Sequence, residues 1–553
     1  MTRPLAAAAL LAACCAAQAQ PAPLRTFTSP NPEPGGQFGY ALAVLGDLDG
    51  DAVPDLLVGA PEEQASEDPF RVQGRAHVLS GATGDPLYTL VSPNEQPQLV
   101  GYRGDFGAAV VALGDLDGDG TGDVAVGAPG DSPEEEEGVG AVYVFSGATG
   151  TLLHTLAHPD ALYQAGFGAA LARLGDVDGD SVDDVGVGAF ESGTRLTCES
   201  DFATSGMAYV FSGATGELLY EVAPTSGCET YFGVSIAGVG DVDGDERSDF
   251  AVGSLGDLEG DAPQLAGRVH VYSGATGDEL YTLDSPNAQE QGRFGAEGSL
   301  VGIGDVDGDG VRDLAVGAIQ EVYDAGAPTD GGHAYAFSGA TGALLYTLEA
   351  PEPDPASPFG RLGPAGDLDG DGVGDLLAWD SGIGSNPDLP GDGSGSAYAF
   401  SGATGALLFS LTSPQPRSEA FFGWALDATA DFTGDGRPDV VASEPGSFFS
   451  EGSRPGQVYL FSPFGVDTEP VPTASTDRAL RLAPNPASDV ARVTWGAAPA
   501  RLAAFDVLGR EVVALEATNG EATLDVAGWA PGLYVLRLET ADGVRVQRFT
   551  VAR

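Results

Sequence analysis

The chain of 553 residues carries 81 acidic against 24 basic side chains, a formal charge of −57, and all 24 basic residues are arginine. Such a surface repels nucleic acid and anionic membranes. The length allows one large domain and one small one, each with room for a core.

In chain order, residues 1–19 read as a secretory signal: Arg3, an apolar run through Leu11, then Ala17-Gln-Ala19 as a cleavage site. The segment is too short to span a membrane. Leu11-Ala-Ala-Cys14 offers a second reading, a lipidated Cys14.

Residues 20–465 are a sevenfold repeat. Each copy holds a Phe-Gly pair, an aspartate-rich loop, an apolar run ending in Gly-Ala-Pro or a relaxed form of it, and an alternating run such as Ala141–Phe145. Six copies continue with Ser-Gly-Ala-Thr-Gly and a segment of the Leu-Tyr-Thr-Leu kind. Gly and Thr between two alternating runs mark a hairpin turn, so each copy predicts four short strands. Four-stranded units repeated radially make a β-propeller, here seven-bladed. Copy seven ends after its third strand, Gln457–Phe461, while Leu24–Pro30 resembles a fourth strand. The N-terminal strand is therefore expected to complete blade seven and close the ring.

The loops carry the chemistry. In blade two, Asp115, Asp117, Asp119 and Asp123 stand at positions one, three, five and nine, with Gly118 permitting a tight curl. The same positions hold Asp47, Asp49, Asp51 and Asp55 in blade one; Asp176, Asp178, Asp180 and Asp184 in blade three; and Asp241, Asp243, Asp245 and Asp249 in blade four. Blade five has Asp305, Asp307, Asp309 and Asp313, and blade six has Asp367, Asp369, Asp371 and Asp375. Blade seven has Asp431, Thr433, Asp435 and Asp439. These carboxylates, with the carbonyl at position seven, suit Ca2+ at up to seven sites; Mg2+ demands a stricter octahedron with fewer protein ligands. An EF-hand would need glutamate at position twelve, which is Val or Ala in every copy. Asp-Gly turns without metal are the bland alternative, but carboxylates this crowded repel one another without a cation. Thr433 makes blade seven the weakest expected site. Seven calcium ions would leave a charge of about −43, still strongly acidic.

Order, spacing and copy number over roughly residues 24–465 resemble the FG-GAP repeats of integrin α-subunit propellers. The resemblance implies calcium on the face of the first-to-second-strand loops and partner recognition on the opposite face. There the connecting loops vary in length and sequence. Phe70, Tyr102, Tyr163, Phe202, Tyr231, Tyr323, Trp379 and Phe421 are the aromatics expected on or near that face. If the signal is removed, Cys198 and Cys228 are the remaining thiols, both in loops of blade three on this face. A disulfide between them is expected in an oxidising compartment, two free thiols being the alternative.

Residues 466–477 form a polar, proline-bearing linker, and 478–553 carry alternating runs that predict a small β-sandwich. Pro484-Asn-Pro-Ala487, Asp506–Arg510, Leu524–Val526, Gly532–Tyr534 and Arg548–Arg553 resemble the C-terminal sorting domain of type IX secretion in the Bacteroidota group. The resemblance implies a partner in the type IX machinery and export to the outside of a Gram-negative bacterium. A carbohydrate-binding sandwich is the alternative.

Five histidines are present, and no catalytic or phosphate-binding motif accompanies them. His77, His270 and His333 fall on third strands, where packing explains them. The expected protein is thus all-β, non-enzymatic, monomeric and free of nucleic acid. It is a secreted or cell-surface calcium-binding adhesion module with an extracellular protein or glycan ligand. The alternative is a lectin or polysaccharide-active enzyme using the propeller face.

Overall fold

The protein is described here from a computed structural model. It describes residues 21–463 apart from 65–71, 95–102, 132–137, 161–164, 192–205, 225–228, 258–262, 322–330, 352–357, 383–392 and 447–454. In the C-terminal part it describes 481–483, 490–494, 500–506, 510–517, 521–530, 532–540 and 543–551. Cys198, Cys228 and the signal segment lie outside the described residues. The chain divides into two compact units, Met1–Val466 and Asp467–Arg553.

Among the described residues, the first unit holds seven sheets of four antiparallel strands; Arg103–Phe106 adds a fifth, parallel strand to the first of them, and Glu229–Thr230 pairs with Gly256–Asp257 in a separate two-stranded sheet. Blade two is representative: Ala109–Ala112, Val124–Ala128, Ala141–Phe145 and Leu152–Ala157 pair in succession. The second and third strands are buried along their whole length, because a neighbouring blade covers each of their faces. That is why they read as continuous apolar runs. The fourth strand is the outer edge, half exposed, with leucines such as Leu152 and Leu344 at the surface.

Seven apolar clusters sit between the blades, one for each neighbouring pair. Ala43, Leu57 and Val78 of blade one meet Phe106, Val126 and Tyr143 of blade two, and the arrangement repeats around the molecule. The last cluster joins Phe27, Val441 and Leu460 of blade seven to Phe38, Leu56 and Val58 of blade one, so the sheet stack returns on itself. Arg25–Thr28 pairs antiparallel with Gln457–Phe461, supplying the fourth strand of blade seven. Two further bonds seal the seam: the Val44 amide donates to Asp427 Oδ2 at 3.1 Å, and Trp424 Nε1 donates to the Tyr40 carbonyl at 3.1 Å. The fold is a closed seven-bladed propeller.

The repeated Phe-Gly and Gly-Ala-Pro signatures have a packing cause. All seven phenylalanines are fully buried against aromatic rings of the third strands, as Phe106 is against Tyr143 and Phe145. The Gly-Ala-Pro glycine of one blade lies under the Phe-Gly glycine of the next. A Cβ on Gly127 would collide with the Gly168 carbonyl, and the same holds for Gly59 with Gly107 and Gly317 with Gly360. A second glycine, before each third strand, meets the next phenylalanine's carbonyl in all seven blades, Gly456 against Phe38 included. Blades six and seven depart from the first of these contacts, and in blade seven Ser443 takes the glycine's register. In blade six Trp379 takes that register, and its Nε1 donates to the Phe422 carbonyl at 3.0 Å.

Outer strands clip to the next blade's turn. Tyr88 donates to the Gly147 carbonyl at 2.5 Å, and Tyr346 to that of Gly402 at 2.8 Å. At the seam Arg25 replaces tyrosine and donates to the Gly81 carbonyl. The histidines pack, but not all alike: His77 and His270 pair with Val58 and Val252, whereas His333 pairs with Ala318, two residues earlier in its strand.

The second unit holds a three-stranded sheet (Arg481–Ala483, Val490–Thr494, Glu521–Asp525) and a four-stranded one (Ala500–Asp506, Glu511–Ala517, Gly532–Thr540, Gly543–Val551). Val493 and Leu524 of the first share a core with Leu502, Leu536 and Leu538 of the second, which makes a sandwich.

Candidate functional site

The aspartate loops join first and second strands, so all seven lie on one face of the ring. Each loop is built by its own carboxylates. In blade two, Asp115 Oδ1 accepts the amides of Gly118 and Asp119 at 2.7 and 3.0 Å, and Oδ2 accepts that of Gly120 at 2.8 Å. Asp117 and Asp119 each accept one amide two residues on. Asp123 is fully buried: Oδ2 accepts the Leu116 amide at 2.7 Å, and Oδ1 that of Gly147 in the strand-three-to-four turn at 2.9 Å.

Blades one and three to six repeat that double attachment of the ninth aspartate, with turn glycines Gly81, Gly213, Gly274, Gly339 and Gly402 as donors. Burial raises Asp184, Asp249 and Asp375 to about 6, while the backbone amides pull the other way. Position six is left-handed in every loop. Glycine fills it in four (Gly120, Gly310, Gly372, Gly436), and Ala52, Ser181 and Glu246 adopt φ of 71, 72 and 71° in the others.

Carboxylate oxygens converge as a cation would require. One oxygen each from Asp47, Asp49 and Asp55 lies within 4.8 Å of the others, and so do those of Asp115, Asp117 and Asp123; Asp176, Asp178 and Asp184; and Asp305, Asp307 and Asp313. In blade four the converging trio is Asp241, Asp243 and Asp245. Position five thus turns inward in blade four, whereas position nine does in the other four. The donor set is entirely hard oxygen, which fits calcium.

Blade seven differs in two ways. Thr433 adds no carboxylate, and its hydroxyl points to Asp431 Oδ1 at 3.3 Å. Pro463 stands where the turn glycine donates elsewhere, and proline has no N–H. Asp439 Oδ1 is consequently buried with no hydrogen bond, although Oδ2 accepts the amides of Phe432 and Thr433 at 2.9 Å each. Sequence reading noted Thr433 and missed Pro463, whose signal is the loss of Ser-Gly-Ala-Thr-Gly in that one copy. Adjacent loops also touch. Arg247 of blade four lies 3.9 Å from Asp176 of blade three, and Arg437 of blade seven donates to the Leu368 carbonyl of blade six at 3.1 Å.

The opposite face rests on buried carboxylates. Glu63 meets His77 Nε2 at 2.8 Å; Asp131 accepts Tyr143 and Ser92 at 2.7 and 2.5 Å; Glu321 accepts Tyr335 at 2.5 Å. These account for part of the acidic excess beyond the loops: they anchor connections. Among the aromatics expected on this face, Tyr231, Trp379 and Phe421 are described, and Phe70, Tyr102, Tyr163, Phe202 and Tyr323 lie outside the described residues.

Trp379 and Phe421 both meet Trp424, and Trp424 in turn meets Tyr40, two residues that sequence reading did not single out. Arg361 lies over the Trp424 ring, 4.0 Å from its centroid, and 3.8 Å from Glu297. The Tyr40 hydroxyl is pushed up by burial, then by Glu297, Asp105 and Glu62, with Arg361 opposing Glu297. Arg361, Trp424 and Tyr40 stand at the starts of the first strands of three successive blades, the strands farthest from the exposed outer edges, so the cluster lies toward the ring axis on this face.

Comparison with known proteins agrees with this architecture. The FG-GAP repeat model matches residues 38–79, 106–145 and 422–461, and the secretion system C-terminal sorting domain model matches 481–552. Integrin alpha-PS2 of Drosophila melanogaster is 39% identical over 178 residues, 29% of this chain and 12% of the integrin. Integrin alpha-5 of Xenopus laevis is 30% identical over 233 residues, 40% of this chain and 20% of the integrin. The chain therefore spans a fifth or less of the length of these relatives. A solved structure of PorZ, a surface component of the type IX secretion system of Porphyromonas gingivalis, aligns with 90% of this chain and 58% of its own. Its TM-score of 0.39 and 13% identity are too low to carry an argument. The sorting domain implies interaction with the type IX secretion machinery. The chain carries FG-GAP repeats like those of integrin α subunits, ends in a secretion system sorting domain, and is secreted or held at the outer cell surface.

Proposed function

We propose that the propeller is a calcium-stabilised, non-catalytic adhesion or ligand-binding module, with calcium on the loop face and the ligand on the opposite face. The convergence of three carboxylates within 4.8 Å in the loops of blades one to five is the supporting observation. Among the described residues, Asp49, Asp117 and Asp178 at position three accept hydrogen bonds through Oδ1 alone, which leaves Oδ2 for a cation. Positions one and nine hold the loop to its own backbone and to the next hairpin, so an ion bound among them fastens two turns together. When bound, the ion supplies positive charge that relieves carboxylate repulsion; binding to the folded state alone then adds stability.

Thermal unfolding of the secreted chain with calcium and with excess chelator tests this. A midpoint well above the chelated one, with several ions per chain, is expected; identical midpoints would overturn it. Blade seven fills last at limiting calcium. Thr433→Asp, which restores the missing carboxylate, is expected to move it into the range of the others in a site-resolved titration.

A further inference from the structure

In a repeat protein, equivalent positions share a structural task, so a break in the repeat confined to one region marks a local role. The residue after the Phe-Gly pair is small in four consecutive blades, Ala108, Ala169, Val234 and Ala296. In blades seven and one it is Trp424 and Tyr40, and in blade six it is Arg361, which pairs with Trp379 one register step further along its strand. These three are contiguous around the seam of the ring and touch in sequence, guanidinium to indole at 4.0 Å and indole to phenol at 5.6 Å between centroids. One side of the ring therefore carries a contiguous aromatic and cationic cluster where the other four blades carry small side chains after the pair. Exposed Glu297 reaches Arg361 from the fifth blade.

We propose that this cluster is the ligand site of the module and that it takes a neutral sugar of a glycan. The proposal rests on the ligand-binding reading above and gives it a place and a chemistry. The charge pattern excludes other classes. Arg361 already holds the cation position over Trp424, so an incoming ammonium or guanidinium meets like charge there. A net charge of −57 repels a polyanion. A polyhydroxy ring without charge meets neither obstacle. Its C–H face packs on the indole and phenol edges, and its hydroxyls donate to Glu297 and accept from Arg361, a pair spaced at 3.8 Å.

The test uses the secreted chain in calcium, with four neutral polysaccharides (a β-glucan, a dextran, a xylan and a mannan), alginate as polyanion and a poly-arginine peptide as polycation. Affinity-gel retardation and tryptophan fluorescence report binding. At least one neutral polysaccharide retards the protein, and Trp424→Ala and Arg361→Ala each weaken it by roughly tenfold or more, as truncating a central contact does. Trp424→Phe retains most of the affinity. Arg361→Ala decides the matter if Trp424→Ala fails to fold, as its own thermal midpoint will show. Retardation by no neutral polysaccharide overturns the proposal, as does binding only to alginate or poly-arginine, or binding indifferent to both substitutions. A calcium-dependent midpoint that survives such a failure leaves the calcium module standing and removes only the glycan site.

Discussion

At the scale of single residues, left-handed non-glycine positions recur on the face opposite the aspartate loops. The residue before the Phe-Gly pair is left-handed in six blades: Gln37, Asp105, Tyr231, Arg293 and Phe421 at φ between 52 and 57°, with Gly166 in blade three. Asp105 is also desolvated, which raises its carboxyl from 3.8 to about 6; Glu62 adds to the rise and Arg103 opposes it. The unfolded chain releases this proton near 3.8 and the folded one near 6. Between those values the folded state holds more protons, so stability falls as pH rises through the window and stays lower above it. Asp105→Asn removes the ionisation and suits the left-handed backbone better. Its thermal midpoint is expected to exceed wild type at pH 7 and to lose that slope between about pH 4 and 6, with convergence at lower pH. Gly127 presents the opposite case, a position with no room. Its missing Cβ would strike the Gly168 carbonyl, backbone that cannot swing aside, so Gly127→Ala is expected to cost about 3 kcal/mol or more in denaturant unfolding.

At the scale of the hairpin, the loop and the strand-three-to-four turn form one unit through the ninth aspartate. Six blades complete the link with a glycine amide; blade seven cannot, and Asp439 Oδ1 is left bare. Pro463→Gly is expected to supply that amide and stabilise the chelated protein by about 1 kcal/mol, the net worth of one buried hydrogen bond. An unchanged or lowered unfolding free energy in chelator would count against the link. Much of this unit was legible in the sequence. Spacing placed Asp115, Asp117, Asp119 and Asp123 in one curl, and the turn pentapeptide marked the next hairpin. The attachment of Asp123 to Gly147 was not, because it joins residues 24 apart through a backbone amide that any residue but proline supplies. The left-handed sixth position was hidden for a related reason: Ala52, Ser181 and Glu246 stand where glycine would have announced it. The aromatic and cationic cluster escaped because Arg361, Trp424 and Tyr40 are far apart in the chain and meet only once the ring has closed.

At the scale of the whole molecule, closure decides stability. A four-stranded blade buries its inner strands only between two neighbours, so each of the seven apolar interfaces depends on the one before it. Copy number and the displaced N-terminal strand made the ring predictable, since an open stack would leave two apolar faces and an unpaired edge. What holds the seam is more local. Phe27 on the closing strand is 1% exposed and packs with Phe38, Val441 and Leu460, while Arg25 stands where Tyr88, Tyr220, Tyr281 and Tyr346 clip four of the other blades. The seam also has Asp427 accepting the Val44 amide, a bond that forms only when blade seven meets blade one. Phe27→Ala keeps the strand's backbone pairing with Gln457–Phe461 and removes its anchor, so it is expected to cost about 3–5 kcal/mol and to lower the unfolding midpoint. Removing residues 21–30 should do more than add to that loss. The edge of Gln457–Phe461 would be left open beside an uncovered apolar interface, and the protein is expected to self-associate, read as concentration-dependent mass in light scattering. A deleted chain that stays monomeric with an unshifted midpoint would mean that the six blade-to-blade interfaces hold the propeller without its seam.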